Sequence, residues 1–300
     1  MKVLRLGTRG SALARAQSEW VALKLRTLHP GLSVELVPIV TTGDASAAPP
    51  RGANVKASFV KELEDALSRG EVDLAVHSAK DLPALLPEGL TLAAIPERED
   101  PRDVFIGAKV RRLDDLPRGA LIGTSSLRRR SQLQLLRPDL RFAPMRGNVD
   151  TRLKKLEQGA AEALILAEAG LRRLGLDSVA RELIPVDVVV PAPGQGALAV
   201  EARADREEVR ALLAALDDEQ ARVEVALERE FLRAMGGGCS TPLGALARAE
   251  SAGPTRGLRL TVFWEDSAGR SQRLSGSCGA RPEEMSSLVE GLRSRLQTPA

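Results

Sequence analysis

The chain has 300 residues, of which 43% are hydrophobic and 28% are charged, the balance of a globular protein with a buried core. A formal net charge of only +3 and an aromatic content of 2% argue against nucleic-acid binding through a wide basic field or through base stacking. Two cysteines and two histidines are too few for a disulfide framework or a histidine-rich metal centre. The first residues have the pattern of a strand instead of a signal peptide, and no apolar run approaches the ~20 residues that span a bilayer, so we expect a cytoplasmic protein.

The chain begins with a predicted strand at residues 3–6, a glycine turn and a helix. The apolar residues that we expect on the buried face of this helix are at helical spacing: Leu13, Ala16, Trp20 and Leu23. Ser11 is a favourable N-cap, and Arg9 lies just before the helix. Since the unpaired N–H groups at a helix start attract anions, Arg9 and Ser11 are candidate anion ligands, with a simple cap as the alternative for Ser11.

A second strand is predicted at residues 34–40, and residues 45–56, which contain two prolines and show no clear period, are expected to form a mobile loop. A helix follows, and then a buried strand at residues 72–76. Lys80 and Asp81 therefore lie at the carboxyl end of a strand, where open α/β sheets bind ligands. A carboxylate beside an ammonium group there can face a cationic reaction centre, and a solvated ion pair on a loop is the alternative.

Residues 96–103 are charged and flanked by prolines, and we expect them to link the first α/β unit to a second. In the second unit, a strand at residues 121–123 turns into a helix as the first strand does, which suggests an internal repeat. Ser126 lies at this helix start and is followed by three consecutive arginines: Arg128, Arg129 and Arg130. Because successive helical residues are about 100° apart, at most two of the three can face one ligand.

Arginine recurs at another helix start of the second unit. Arg146 flanks that start, and Arg152 lies within the first turns of the helix. Arginine binds carboxylates bidentately, so several such sites predict a cleft for a ligand with many carboxylates or phosphates. The alternatives are a solvated helix face and nucleic-acid binding, and the low net charge and scarce aromatic residues argue against the second.

The last part of the chain carries both cysteines. Two helices are predicted around residues 209–216 and 219–234, and three glycines then precede Cys239. A cysteine on a glycine-rich loop is exposed enough to react, although most cysteines are small buried apolar groups, and we expect Cys278 on a strand to be one of these. Three consecutive strands and a helix from Pro282 predict a small antiparallel sheet covered by one helix.

Seven short motifs, in this order over nearly the whole chain, resemble those of the porphobilinogen deaminase family, also called hydroxymethylbilane synthases. They are Thr8-Arg9-Gly10-Ser11, Val76-His77-Ser78-Ala79-Lys80-Asp81, Glu97-Arg98-Glu99-Asp100-Pro101-Arg102-Asp103, Gly123-Thr124-Ser125-Ser126-Leu127-Arg128-Arg129, Arg146-Gly147-Asn148 with Thr151-Arg152-Leu153, Pro193-Gly194-Gln195-Gly196-Ala197, and Gly237-Gly238-Cys239.

The resemblance implies an α/β fold with three domains. Two are periplasmic-binding-protein-like domains with mixed sheets around a cleft, and the third is a small α+β domain with a three-stranded antiparallel sheet and helices. Domain 1 would comprise residues 1–97 and 197–217 and carry the catalytic aspartate. Domain 2 would comprise residues 98–196 and bind substrate and cofactor with arginines, and domain 3 would comprise residues 218–300 and anchor the cofactor.

The resemblance also implies an activity and the residues behind it. The family joins four porphobilinogen molecules head to tail, each with loss of ammonia, on a covalent dipyrromethane cofactor, and then releases the linear tetrapyrrole hydroxymethylbilane. By motif match, Cys239 would hold the cofactor through a thioether, and Asp81 with Lys80 would act at the electrophilic azafulvenium cation left by ammonia. The residues expected to bind the cofactor carboxylates and rings are Arg9, Ser11, Ser126, Arg128, Arg129, Arg146, Arg152 and Gln195. We expect a monomer that binds porphobilinogen and neither nucleic acid nor a membrane.

Two positions depart from the family pattern. The loop that usually reads Gly-Gly-Lys-Gly-Leu-Phe is here Asn54-Val55-Lys56-Ala57-Ser58-Phe59, and Gly236 stands where an acidic or polar residue is common. A non-catalytic receptor for polycarboxylates on the same two-domain scaffold is the rival interpretation, because fold alone does not determine function. Cys239 on its glycine loop and the Lys80-Asp81 pair favour the enzyme, since a receptor needs neither.

Overall fold

The computed structural model describes residues 3–40, 57–237, 241–250 and 257–297. The predicted loop at residues 45–56 and the predicted anchor Cys239 lie outside these residues. By its internal contacts the chain divides into two compact units. Unit 1 comprises residues 1–99 and 197–225, and unit 2 comprises residues 100–196 and 226–300. The finer division into three domains at the predicted boundaries stays a prediction.

The strands in chain order are β1 (Val3–Arg9), β2 (Ser33–Ile39), β3 (Leu74–Ser78), β4 (Leu90–Ala94), β5 (Asp103–Gly107), β6 (Leu121–Gly123), β7 (Arg141–Ala143), β8 (Ala163–Ala167), β9 (Glu182–Leu183), β10 (Leu198–Arg203), β11 (Leu243–Glu250), β12 (Gly257–Glu265) and β13 (Ser271–Gly279). The helices are α1 (Ala12–Leu28), α2 (Ala57–Ser68), α3 (Leu127–Leu136), α4 (Val149–Glu157), α5 (Glu168–Arg173), α6 (Glu207–Ala214), α7 (Glu219–Ala234) and α8 (Pro282–Gln297). Short 3-10 turns span Ala79–Asp81 and Leu113–Asp115.

Units 1 and 2 each contain a five-stranded mixed sheet, and the two sheets have the same plan. The order is β2-β1-β3-β10-β4 in unit 1 and β7-β6-β8-β5-β9 in unit 2. In each, the first three strands are parallel and the fourth is antiparallel to the third. The predicted internal repeat and the predicted pair of mixed α/β sheets are therefore confirmed.

The core of unit 1 lies on both faces of its sheet, which explains the nearly continuous apolar runs of its central strands. On one face Leu74 and Val76 of β3 pack with Leu25 of α1. On the other face Ala75 packs with Leu63 of α2. Successive side chains of β3 therefore point alternately towards α1 and towards α2.

The buried stripe of α1 differs from the predicted one. Trp20 is 37% exposed and Leu23 is 61% exposed, whereas the buried residues are Ala14, Gln17, Ser18, Val21, Ala22 and Leu25. Both stripes have helical spacing, but the buried one includes two polar residues. Gln17 Nε2 donates to Ser78 Oγ at 2.8 Å, and Ser18 Oγ donates to Thr8 Oγ1 at 2.8 Å, so β1 and β3 supply the hydrogen bonds that these two polar residues need when this stripe is buried.

The third sheet belongs to unit 2 and has the order β11-β12-β13, with both pairs antiparallel. Val190 packs with Leu246 of β11 and Phe263 of β12. At Gly244 the backbone of β11 comes so close to Val190 that a Cβ would lie 2.7 Å from the Val190 carbonyl oxygen. Helix α8 packs on β13, where Leu288 and Leu292 lie against Gly276. The predicted antiparallel sheet with its covering helix is therefore confirmed.

Within the residues that the structure describes, no helix is long and apolar enough to cross a membrane.

Candidate active site

Asp81 and Lys80 lie in the 3-10 turn that directly follows β3, as predicted. The Ala79 N–H donates to the Ala197 carbonyl at 3.0 Å, and the Leu82 N–H closes the turn onto Ala79 at 3.3 Å. Ala79 and Leu82 are each 3% exposed and belong to one apolar cluster of unit 1. Their burial fixes the turn, while the two charged side chains between them are half-buried at its surface.

The start of α1 carries the first predicted anion ligands. Ser11 is the N-cap of α1, and its side chain accepts a hydrogen bond from the Ala14 N–H at 3.3 Å. Arg9 is the last residue of β1 and is half-buried. The capping role of Ser11 is therefore confirmed, and the binding of a ligand anion by Arg9 and Ser11 stays a prediction.

In unit 2, Arg128 and Arg129 are buried together on one carboxylate. Arg128 Nη1 lies 2.7 Å from Asp103 Oδ2, and Arg129 Nη2 lies 2.7 Å from Asp103 Oδ1. Arg129 Nε also donates to Asp103 at 3.1 Å, and its Nη1 donates to the Ile165 carbonyl at 2.8 Å. Arg128 and Arg129 are 6% and 7% exposed, while Arg130 is exposed. Two of the three arginines therefore point into unit 2 and the third points to solvent, in line with the prediction that at most two can face one ligand.

This cluster carries a net positive charge. Burial alone would raise the pKa of Asp103, but the adjacent guanidinium groups of Arg128 and Arg129 hold that pKa well below its usual range. The carboxylate is therefore ionised at neutral pH, and two guanidinium groups against one carboxylate leave a charge of about +1 in a poorly solvated place. Ser126, the N-cap of α3, accepts from the Arg129 N–H at 3.4 Å, which places the cluster at a helix start.

Gln195 completes the same cluster. Its Nε2 donates to Asp103 Oδ1 at 2.9 Å and to the Pro101 carbonyl at 2.7 Å, and the residue is 1% exposed. The structure thus places Gln195 against Asp103 and the start of unit 2. That Gln195 also contacts the cofactor stays a prediction.

Arg146 and Arg152 lie at the start of α4. Arg146 is exposed, and its carbonyl accepts from Lys155 Nζ at 3.1 Å. Arg152 Nε donates to the Gly147 carbonyl at 2.7 Å, so this arginine supports the loop that presents Arg146. An exposed guanidinium beside a helix N-terminus is suited to a carboxylate ligand.

Two residues that organise these groups are not among the predicted site residues. Asp103 lies in the stretch predicted to be a charged linker, and Gln17 lies outside the predicted buried face of α1. The signal for Asp103 was available, because a charged residue at the first position of the buried strand β5 requires a charged partner. The signal for Gln17 was the second stripe of helical spacing along α1.

Comparison with known proteins gives two family matches. The family described as "Porphobilinogen deaminase, dipyromethane cofactor binding domain" matches residues 4–211, and "Porphobilinogen deaminase, C-terminal domain" matches residues 222–289. A porphobilinogen deaminase of Roseiflexus sp. (strain RS-1) is 53% identical over 250 residues, which cover 83% of this chain and 82% of that protein. One of Syntrophus aciditrophicus (strain SB) is 49% identical over 245 residues, which cover 81% of this chain and 80% of that protein. Among solved structures, the substrate binding domain of a putative molybdenum ABC transporter from Clostridium difficile aligns with a TM-score of 0.43 at 10% identity, covering 75% of this chain and 96% of that one.

Proposed function

The chain belongs to the porphobilinogen deaminase family, and on that premise we propose which of its residues carry out the reaction. The activity is that of a transferase of tetrapyrrole biosynthesis. It joins four porphobilinogen molecules, each with loss of ammonia, into hydroxymethylbilane on a dipyrromethane cofactor. The family assignment favours this enzyme over the rival polycarboxylate receptor.

The residues of unit 2 fit the cofactor by charge. Each pyrrole bears an acetate and a propionate, so the cofactor and every added ring bring carboxylates. The buried cluster of Asp103, Arg128 and Arg129 has a net charge of about +1, and within the described part of the chain Asp103 is the only carboxylate paired with these two guanidinium groups. Among the described residues, the bonds of Arg128 all go through Nη1, so its other N–H groups can donate to a ligand. When bound, the cofactor supplies a covalently held pyrrole to which substrate is added.

Further donors complete the proposed binding set. Arg146 at the start of α4, with Arg152 supporting its loop, would take carboxylates of the lengthening chain. Ser126, at the start of α3, and Gln195, bound to Asp103, lie with the buried cluster and would position its guanidinium groups. In unit 1, Arg9 and Ser11 offer a guanidinium and the first turn of α1, where unpaired N–H groups favour an anion.

Cys239 is proposed to hold the cofactor through a thioether. It lies outside the described residues, and the support comes from its neighbours and from the other cysteine. Gly236 and Gly237 have φ values of +86° and +62°, which other residues rarely adopt, so the approach to Cys239 requires glycine. Burial, and then the nearby Glu284, raise the pKa of the Cys278 thiol, which disfavours the reactive thiolate there.

Asp81 is proposed to stabilise positive charge on the substrate. Loss of ammonia leaves a carbon that shares its positive charge with the pyrrole nitrogen, and a carboxylate fixed beside it lowers the energy of that state. Asp81 can also accept and return the proton of the ring nitrogen. Lys80, next to it, would bind a carboxylate of the same substrate. The observation that carries this proposal is the turn itself, because burial of Ala79 and Leu82 fixes the backbone that presents Lys80 and Asp81 at the end of β3.

The direct test of this role is Asp81→Asn, which keeps the size of the side chain and removes its charge. We expect kcat to fall by roughly 10²–10³-fold with substrate binding retained, as for the loss of one stabilising group in other active sites. Asp114→Asn is the matched control, since Asp114 is 76% exposed and belongs to unit 2. Turnover of Asp81→Asn within a few-fold of the control would remove Asp81 from the mechanism.

We further propose that the chain acts as a monomer in the cytoplasm, with porphobilinogen as its partner and without nucleic acid or a membrane. The near-neutral balance of 43 basic and 40 acidic residues supports this, because it gives no broad field for a polyanion. Light scattering during size-exclusion chromatography tests the monomer.

A further inference from the structure

Three titratable side chains lie buried together in unit 1 and have no role in the proposal above. Glu201 is 0% exposed, His77 is 5% exposed and Glu64 is 8% exposed. His77 is on β3, the strand that leads into the turn with Asp81. Glu201 is on β10 and Glu64 is on α2.

The fold directs Glu201 at His77. Strand β10 runs antiparallel to β3 with Ala199 opposite His77 and Glu201 opposite Ala75, so Glu201 is a diagonal neighbour of His77 on the same face. The pairing of β10 with β4 is irregular between Val200 and Glu201, and such bulges redirect side chains. Glu201 Oε2 lies 3.0 Å from His77 Nε2, so the two side chains bond β10 to β3.

The cluster has more acid than base. Glu201 Oε1 and Glu64 Oε1 are buried and have no hydrogen-bond partner in the part of the chain that the structure describes. Two buried carboxylates close to one imidazole repel each other, and this repulsion favours the protonated form of Glu64. Burial, and then the negative charge of Glu201, raise the pKa of Glu64 to about 7, while His77 acts in the opposite direction.

Among the described residues, the groups whose charges act on Glu64 are Glu201, His77 and, on its own helix, Asp65. The same helix also carries Lys61, which is exposed, and Glu62, which is half-buried. Helix α2 also packs against β1, β4 and the turn at the end of β3, and β4 carries no charged residue. On β1 and β10, Arg5 forms an ion pair with Asp73 and Arg203 forms one with Asp205. The other charged residues of these elements lie at strand ends: Arg9, Lys80 and Asp81.

We propose that Glu64, His77 and Glu201 form a buried proton-holding cluster whose protonated state positions the Ala79–Asp81 turn for the reaction. The proposal rests on Asp81 being the catalytic carboxylate. Glu64, His77 and Glu201 are positioning residues, since they act on Asp81 through the backbone and need not touch substrate. The step involved is the release of one proton from the Glu64 carboxyl to solvent, which leaves two buried carboxylates on one imidazole.

The contact that transmits this change is present in the fold. Val60 of α2 packs in the same apolar cluster as Ala79, Leu82, Ala197 and Ala199. The Ala79 N–H is bonded to the carbonyl of Ala197, next to the start of β10. Repulsion between α2 and β10 therefore loosens the elements that hold the turn, and kcat falls when the proton is lost.

The test compares the pH profile of kcat for the holoenzyme and its Glu64→Gln variant, which cannot lose the proton. We expect kcat of the wild type to fall as pH rises through about 7, and the fall in Glu64→Gln to move at least ~1 pH unit higher, with KM little changed. Glu88→Gln, a change at an exposed residue of unit 1, should keep the wild-type profile. Superimposed profiles for all three proteins would overturn the proposal.

Infrared spectroscopy tests the proton directly and does not depend on activity. At pH ~6, solvated carboxyls are ionised, so a buried protonated Glu64 should give a separate C=O stretching band in the wild type and Glu88→Gln but not in Glu64→Gln. Absence of the band in the wild type overturns the proposal. If Asp81→Asn stays active while the band and the shifted profile are found, the proposed function fails but the proton-holding cluster does not.

Discussion

Asp103 is the residue that orients Arg128 and Arg129, the two buried arginines of the candidate site in unit 2. Its two carboxylate oxygens accept from Arg128, Arg129 and Gln195, and the carboxylate is fully buried. A fixed partner lowers the side-chain entropy that an arginine loses when it binds an anionic ligand, because the guanidinium group is already held in one direction. Asp103 orients both groups and still leaves a net positive charge for the ligand.

The substitution Asp103→Asn should therefore be costly. It leaves two buried guanidinium groups without their counter-charge, and we expect a loss of about 3–5 kcal/mol in the free energy of unfolding, measured with urea. The matched control is Asp205→Asn, because Asp205 lies 2.6 Å from Arg203 but is 62% exposed. That exposed pair should contribute no more than ~1 kcal/mol. Equal losses for the two variants would contradict the role given to Asp103.

At the level of elements, α1 shows how hydrogen bonding can override an apolar pattern. Its predicted face contained Trp20 and Leu23, but the helix buries Gln17 and Leu25 instead. The bond from Gln17 to Ser78 joins α1 to the last residue of β3, immediately before the turn with Asp81. The helix is thus oriented by the same strand end that carries the candidate catalytic residues.

This orientation predicts effects of very different size for two leucines of α1. Leu25→Ala should lower the free energy of unfolding by about 2–5 kcal/mol, because Leu25 is fully buried in the core of unit 1. Leu23→Ala should change it by less than ~1 kcal/mol, since Leu23 is 61% exposed. Urea unfolding of the two variants measures both. The reverse ranking would show that the predicted stripe, and not the observed one, faces the core.

Most strands, though not the two-residue β9, were predictable because local patterns specify them. Apolar runs buried on two faces, glycine turns and proline breaks gave β1, β3, the three-stranded sheet and the position of Lys80 and Asp81. The charged clusters were not predictable in this way. Arg129 and Asp103 are 26 residues apart, and His77 and Glu201 are 124 apart, so their pairing follows only from strand order and register.

At the level of the whole molecule, the chain builds unit 1 from two separate segments. Strand β10 comes after all of β5–β9 in sequence, yet it lies between β3 and β4. The returning segment is fixed by Asp217, which accepts from the Ile95 N–H at 2.7 Å, and by a buried pair between Arg98 and Glu224 at 3.4 Å. Unit 1, including the strand that carries Glu201, is therefore complete only after the chain has passed through the five strands of the second sheet.

The same long connection places the proposed anchor late in the chain. Helix α7 starts at Glu219 after the return to unit 1 and ends at Ala234, five residues before Cys239. The account as a whole requires that this cysteine, and not Cys278, holds the pyrrole chain. Guanidinium groups and an aspartate can serve many anionic ligands, but a thioether to one cysteine is specific to the proposed chemistry.

The mass of the intact denatured chain tests this requirement most directly. We predict that the wild-type chain is heavier than its sequence by one dipyrromethane, that Cys278→Ser keeps this addition, and that Cys239→Ser has the mass of its sequence alone and no turnover. A wild-type chain that is active at its bare sequence mass, or an addition that persists in Cys239→Ser, would contradict the account.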